Sequence, residues 1–289
     1  DDTEKHMKVQ YLGTGAAEGV PALFCNCEYC RALRGRIARG EGGREVRSRA
    51  QVLLDGELSI EFPPDAFFHM ARFGADFSAI GYVLVTHSHM DHFYAHDFIL
   101  HGYKYAHEMT APRLTIFGNE EVCEVFRECT RREMKGEVAP TIALRTVGAF
   151  EEVAFGYWRA YSFPACHSSR EPLLWLIERE GKRVLHLTDT GRLPDESVEF
   201  LHTLGRRVDL VTLDCTFLWE DTGPGARHMN VREAVHTVER LEKAGVVDSE
   251  TVTVITHFSH NSPPTAQAVE RAEQEYGFLA AYDGMVLEI

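Results

Sequence analysis

Residues 82–92 read YVLVTHSHMDH, and no other stretch limits so tightly what this chain can fold into. The apolar, β-branched run 82–85 is the pattern of a short strand buried on both faces. It breaks off into His87, His89, Asp91 and His92. In extended backbone, residues two apart point the same way, so His87 and His89 can hold one ion together. Asp91 and His92 follow once the chain has turned, and face a second position beside the first. Three imidazoles and a carboxylate in so short a loop suit zinc, manganese or iron; calcium and magnesium sites are richer in oxygen.

Three further apolar runs end at residues of the same chemical kind. Run 161–165 leads to Cys166-His167, run 184–187 to Thr188-Asp189-Thr190, and run 252–255 to Thr256-His257. Upstream, Cys25, Cys27 and Cys30 crowd into one hexapeptide. The chain has seven cysteines and no signal-peptide pattern, so the cluster reads as a metal site before a disulfide. Three thiolates need one more ligand to close a tetrahedral structural zinc, and His260 is the natural fourth. The scattered Cys123, Cys129, Cys166 and Cys215 read as buried thiols.

Around these points the pattern predicts strands at 8–12, 51–54, 58–62, 113–117, 141–147, 153–155 and 157–165. Helices are expected over 93–106, 120–135, 231–244 and 265–276, the third with Asn230 as its cap and Glu233 in the capping-box position. Gly13-Thr14-Gly15 reads as a tight turn, since no helix pattern follows to make it a phosphate loop. Residues 35–49 look like an exposed loop whose Arg44, Arg47 and Arg49 are solvated, or of which one faces a substrate anion. The length of 289 residues and 44% hydrophobic content support a single α/β domain over 7–289, with the polar 1–6 as a cloning remnant. No run approaches the roughly 18 apolar residues of a membrane helix, and the protein is expected to be cytoplasmic. A net charge of −14 argues against a general nucleic-acid surface but not against a small anionic substrate, because bound cations dominate the field around them. Whether the chain forms a homodimer stays open.

The loop His87-x-His89-x-Asp91-His92, followed in order by His167, Asp189 and His257, resembles the metallo-β-lactamase superfamily. The Gly-Thr-Gly turn, Gly19-Val20-Pro21-Ala22, the cysteine cluster, Leu187-Thr188-Asp189-Thr190 and Asp283-Gly284-Met285 narrow the likeness. Within the superfamily they are similar to the phosphoribosyl cyclic phosphate phosphodiesterases of phosphonate breakdown and, more distantly, to the pyrroloquinoline quinone biosynthesis B proteins. The resemblance implies an αββα four-layer sandwich. It implies two divalent active-site metals, zinc or manganese, with His87, His89 and His167 on one, Asp91, His92 and His257 on the other, and Asp189 between. A hydroxide shared by the two ions would be the nucleophile. The resemblance also places His228 at the cleft as a non-ligand histidine able to protonate a leaving group, against the alternative of a surface histidine before a helix. Where the superfamily carries an aspartate supporting the histidine loop, this chain has Glu61.

The implied activity is hydrolysis of a small sugar-phosphate ester, cyclic esters included, with Asp91 and His228 as the residues closest to the chemistry. Alternatives are a lactonase or thioesterase on the same metal pair, or a non-hydrolytic protein of quinone-cofactor biosynthesis. No basic arm suggests a tRNA nuclease, and His89 stands where flavoprotein oxidases of the superfamily carry glutamate.

Overall fold

In this computed structural model the chain is described over residues 6–223 and 225–289, so all of the polar leader except His6 lies outside the described residues. Strands Lys8–Gly13 (β1), Gln51–Leu54 (β2), Leu58–Ile60 (β3), Tyr82–Leu84 (β4), Leu114–Gly118 (β5) and Ile142–Thr146 (β6) build a first sheet in that order. A second sheet contains Glu152–Phe155 (β7), Trp158–Pro164 (β8), Leu173–Arg179 (β9), Lys182–Leu187 (β10), Leu210–Asp214 (β11), Val252–Thr256 (β12) and Leu279–Ala280 (β13), each beside the next. The last strand, Met285–Glu288 (β14), returns antiparallel to β1 and closes the first sheet.

Each sheet is apolar on both faces, and β9 displays why two layers of helix are needed. Leu173, Trp175 and Ile177 enter the core between the sheets, while Leu174 and Leu176 point to the opposite face. A strand with no polar side stays in water only if something covers its second face. Helices Glu28–Ala38 (α1), Ala66–Phe73 (α2) and Glu120–Thr130 (α3) precede the second sheet. Val122 and Phe126 of α3 pack with Leu53, Val83, Val85 and Ile116 on the outside of the first sheet. Asp195–Leu204 (α4), Val231–Lys243 (α5) and Ala266–Tyr276 (α6) do the same for the second, with Leu201, Val231, Ala234, Leu241 and Ala272 against Val211, Leu213 and Ile255. The result is helix, sheet, sheet, helix. No helix among the described residues is long and apolar enough to cross a membrane.

The structure revises three local expectations. Residues 93–106 form only a 3₁₀ helix, Ala95–Leu100, because aromatic and β-branched residues support a helix weakly and Gly102, at φ +102°, breaks it. Phe98 is buried and Tyr105 is exposed. The helix at 120–135 stops at Thr130, whose hydroxyl bonds back to the Phe126 carbonyl. The exposed arginine-rich loop at 35–49 is also different: its first part is the end of α1, and only Arg44 is solvated. Arg49 pairs with Asp65 at 3.1 Å. Arg47 is buried, donates to the Thr14 hydroxyl and the Ala281 carbonyl, and lies 4.2 Å over the Phe258 ring. Burial pushes its pKa down to about 10, against the pull of Asp283. It ties the first turn to the loop that follows β12. In that turn Gly13 is required sterically, since a Cβ there would sit 1.9 Å from the Arg49 carbonyl oxygen.

Candidate metal centre

The C-terminal ends of β4, β10, β11 and β12 lie side by side along the edge of the two sheets, and every motif residue is carried on the loop that leaves one of them or β8. Parallel pairing of β10 with β11 and of β11 with β12 keeps these ends level. Ligands reach a common centre from opposite layers for this reason.

His87 Nε2 and His167 Nε2 lie 2.9 and 3.2 Å from His89 Nδ1, so these three rings converge on one point. Asp91, His92 and His257 converge on another, with His92 Nε2 3.2 Å from Asp91 Oδ2. Asp189 Oδ2 sits between, 3.5 Å from His92 Nε2, 3.5 Å from His167 Nε2 and 3.7 Å from His257 Nε2. The structure brings together the side chains that the resemblance groups, with Asp189 between them, and it also sets Asp189 with Asp214, His228 and His257.

The far nitrogens show what orients the rings. His87 Nδ1 donates to the Thr86 hydroxyl at 2.9 Å, which in turn donates to Glu61 Oε1 at 2.5 Å. His92 Nδ1 faces the same Glu61 oxygen at 3.3 Å. His257 Nδ1 donates to the Thr216 hydroxyl at 2.8 Å, which donates to Asp214 Oδ1 at 3.0 Å. His167 Nδ1 faces the Arg227 carbonyl at 3.3 Å. With Nδ1 protonated on all four rings, each Nε2 is left as a lone pair turned toward the centre. His257 Nε2 and both ring nitrogens of His92 are buried without a hydrogen-bond partner among the described residues, although Glu61 Oε1 lies 3.3 Å from His92 Nδ1. Buried lone pairs that face one another repel and lack solvation, so the arrangement fits cations and little else.

The single carboxylate of Glu61 thus stands behind two histidines, His87 through Thr86 and His92 directly. Its backbone is left-handed at φ +66°, which turns the residue out of the strand direction after Ile60. Burial raises the Glu61 pKa, and His92 and Thr86 oppose that rise. His257 is left-handed as well, at φ +65°. Such backbone costs of order 1–3 kcal/mol per residue and persists where surrounding contacts hold it, as Thr216 does here.

His228 is not a surface residue. Its side chain is 23% exposed, and Nδ1 lies 2.5 Å from Asp189 Oδ1 and 3.0 Å from Asp214 Oδ2. Burial favours its neutral form, but Asp214 and Asp189 outweigh this and push its pKa up to about 11. Asp214 is absent from the sequence-based ligand set, although it ends the apolar run 210–213 just as Asp189 ends 184–187. It holds Thr216, the Met229 amide and His228 together. A cavity of about 260 Å³ opens over His89, Asp91, Asp189, His228 and His257, with Phe217 and Glu18 on its rim.

At the second cluster, the sulfurs of Cys25, Cys27 and Cys30 and a ring nitrogen of His260 all lie within 4.8 Å of one another. Cys27 caps α1, accepting from the Cys30 amide at 3.4 Å. That amide, then His260 and Cys25, lower its pKa to about 6, while burial raises Cys30 to about 11. His257 and His260 share one loop, so the two clusters are physically joined. Of the scattered thiols, Cys123 and Cys215 are buried and Cys129 and Cys166 only partly so. His96 and His107 are exposed, and His101 bonds the Thr141 hydroxyl away from the centre.

Residues 52–275 match the Beta-lactamase superfamily domain. The fold superposes on a diphosphatase of the PhnP family with TM-score 0.71 and 22% identity, covering 99% of this chain and 98% of that one. Zn²⁺-bound PqqB from Methylobacterium extorquens gives 0.73 at 16% identity, over 98% and 100%. The short form of human tRNase Z gives 0.64 at 16% identity, over 97% and 98%. Among curated proteins, an octanoyltransferase of Porphyromonas gingivalis (strain ATCC BAA-308 / W83) shares 30% identity over 90 residues. That is 30% of this chain, which spans only 16% of that protein's length.

Proposed function

The chain belongs to the β-lactamase superfamily, and on that premise we propose a dinuclear metal-dependent phosphodiesterase acting on a small sugar-phosphate ester, cyclic esters included. Family and fold support the coarser reading, a hydrolase that uses divalent metals. The observation that carries the finer one is the pair of ligand groups facing each other across Asp189, with the Asp214–His228 pair alongside. A diphosphatase among the proteins of this fold points to phosphate in the same way. We assign the active-site ions to zinc or manganese, a third, structural zinc to Cys25, Cys27, Cys30 and His260, and the whole to one domain over residues 7–289.

Two divalent ions held by these groups would supply Lewis acidity and lower the pKa of water to about 7. The chain's own part is positional. Of the two groups, His87, His167, His92 and His257 are pre-oriented by Thr86, the Arg227 carbonyl, Glu61 and Thr216, which limits the reorganisation that binding needs. Asp189 draws both groups to one separation. Asp214 holds His228 by Nδ1, which leaves Nε2 as the proton-bearing atom at the cavity, placed to protonate a departing alkoxide. In an acidic chain, the two ions make this cavity the cationic place that a phosphodiester needs.

The test is a substrate panel on metal-loaded protein: bis-p-nitrophenyl phosphate, five- and six-membered cyclic phosphodiesters, a lactone and a thioester. Phosphodiesters should be cleaved and Asp189→Ala should abolish the cleavage while the cysteine-bound zinc remains. Turnover of the lactone or thioester alone, with both ions present, would replace the proposal with the corresponding esterase chemistry. The quinone-biosynthesis reading, which the likeness to PqqB keeps in view, is distinguished by loss of the second ligand group, and every residue of that group is present.

A further inference from the structure

A second cavity, of about 560 Å³, opens where residues 40–46 fold back between the end of α1 and the end of α2. It shares no lining residue with the metal-centre cavity and is about the size of a small-ligand pocket. Ile37, Val46, Phe68 and Phe73 make its apolar walls, and Phe68 and Ile37 remain 46% and 40% exposed. Gly42 allows the turn to close on them, because a Cβ there would lie 2.8 Å from both Ile37 Cγ1 and Val46 Cγ2.

Arg44 and Arg72 stand at the walls. The Arg44 guanidinium is 3.8 Å from the Tyr282 ring centroid and that of Arg72 is 5.9 Å from that of Phe73. In a chain with 44 acidic residues, neither has a carboxylate partner among the described residues, whereas nearby Arg36, Arg39 and Arg49 are all paired. Asp283, the one acidic lining residue, is occupied by the Ser48 amide, the Ser48 hydroxyl and the Thr14 hydroxyl. Two guanidiniums and one carboxylate leave the wall with a single net positive charge. The C-terminal ends of α1 and α2 both reach the cavity, and their partial negative charge weighs against any anion, twice as strongly against a dianion as against a monoanion.

We propose that this cavity binds an organic monocarboxylate with an apolar tail, the carboxylate on Arg44 and Arg72 and the tail against Phe68, Phe73, Ile37 and Val46. A guanidinium matches a carboxylate in a planar fork, and the exposed apolar wall is covered only when the anion carries a tail. Inorganic phosphate offers no such tail and brings too much charge.

Metal-loaded protein is titrated calorimetrically with octanoate, and with acetate, octanol and inorganic phosphate as partial ligands, while the Ile37 methyl resonance is followed by NMR. Octanoate should saturate at or below about 1 mM, shift the Ile37 methyl, and bind about tenfold or more tighter than any partial ligand. Arg44→Gln/Arg72→Gln should weaken octanoate about tenfold or more and remove the Ile37 shift. Both arginines are exposed, so this variant should melt with the parent. Phe68→Ala should weaken octanoate and leave acetate unchanged. Octanoate binding that persists in the double variant places the carboxylate elsewhere, the metal centre included, and overturns the proposal. So does phosphate binding as tightly as octanoate, or an Ile37 methyl that never moves. Because octanoate binding and the Ile37 shift are read without turnover, the outcome is independent of what the metal centre hydrolyses.

Discussion

Replacing Glu61 is the sharpest probe of how the metal centre is held. Its carboxylate is 1% exposed, accepts from the Thr86 hydroxyl at 2.5 Å and the Thr86 amide at 3.4 Å, and faces His92 Nδ1 at 3.3 Å. Through Thr86 it also orients His87, so one side chain supports a ligand in each of the two groups. Hydrogen bonds to a charged acceptor contribute about 1.5–3 kcal/mol each, but removing the carboxylate also removes the cost of burying it. Glu61→Ala should therefore lose only about 2 kcal/mol of stability. The effect on metal is larger, because outer partners of ligating histidines typically change affinity 10–100-fold, about 1.4–2.7 kcal/mol. Glu61→Gln retains an oxygen for Thr86 and loses the charge facing His92, and should fall between the parent and Glu61→Ala. Zinc affinity is read by competition with a chromophoric chelator, and stability by thermal melting. If Glu61→Ala binds two active-site ions as tightly as the parent, the histidines are not oriented by this carboxylate and the tautomer argument for Nε2 coordination fails.

Three further outcomes follow from the same geometry. Cys27→Ser should lose about one zinc equivalent by elemental analysis and lower the melting temperature, as loss of a structural zinc ligand requires; unchanged metal content would dissolve the assignment. Asp214→Asn and His228→Ala should both keep two active-site ions yet slow poor leaving groups more than p-nitrophenolate; equal slowing across leaving groups would remove His228 from proton transfer. His69 is buried between Gln51 and Ser48, and burial lowers its pKa from 6.5 to about 4, with Asp65 opposing. The folded state thus binds this proton less readily than the unfolded chain, so the contribution is intact above about pH 6.5 and disappears as pH falls toward 4, by about 3 kcal/mol. His69→Gln, compared with the parent by urea unfolding from pH 7 to 4, should show a shallower loss; parallel curves would contradict it.

Much of the centre was legible in the chain because metal ligation draws on few residue types and because a strand's period of two is local. His87 and His89 two apart after 82–85 are legible from the local pattern alone, whereas Asp189 after 184–187 and His257 after 252–255 take their meaning from the ordered set that resembles the superfamily. The cysteine cluster is equally local, and His260 is within three residues of a ligand already found. The two-faced apolar strands likewise required a covered sheet, and hence helices on the outside.

The tertiary structure decided what supports these groups. A carboxylate is acceptable behind a histidine from any element that arrives at the right distance, so Glu61, 25 residues before Thr86, is marked in the sequence only by the resemblance, and its contacts with Thr86 and His92 come from the fold. Asp214 did carry one, at the end of 210–213, but its meaning depends on β11 lying between β10 and β12, which sets it beside His228 and Thr216. His228 reads equally well as a helix-flanking surface residue until that pairing places it. Arg47, in a stretch that looks solvated, is drawn inside because Thr14, Ala281 and Phe258 together replace its water. The second cavity arises in the same manner, from α1, α2 and residues 40–46 meeting, none of which is apolar or cationic enough alone to mark a site. Side-chain chemistry and strand alternation act over a few residues and can be read along the chain. Solvent replacement, ring orientation and cavity shape are properties of neighbours in space, and for this protein the fold alone supplies them.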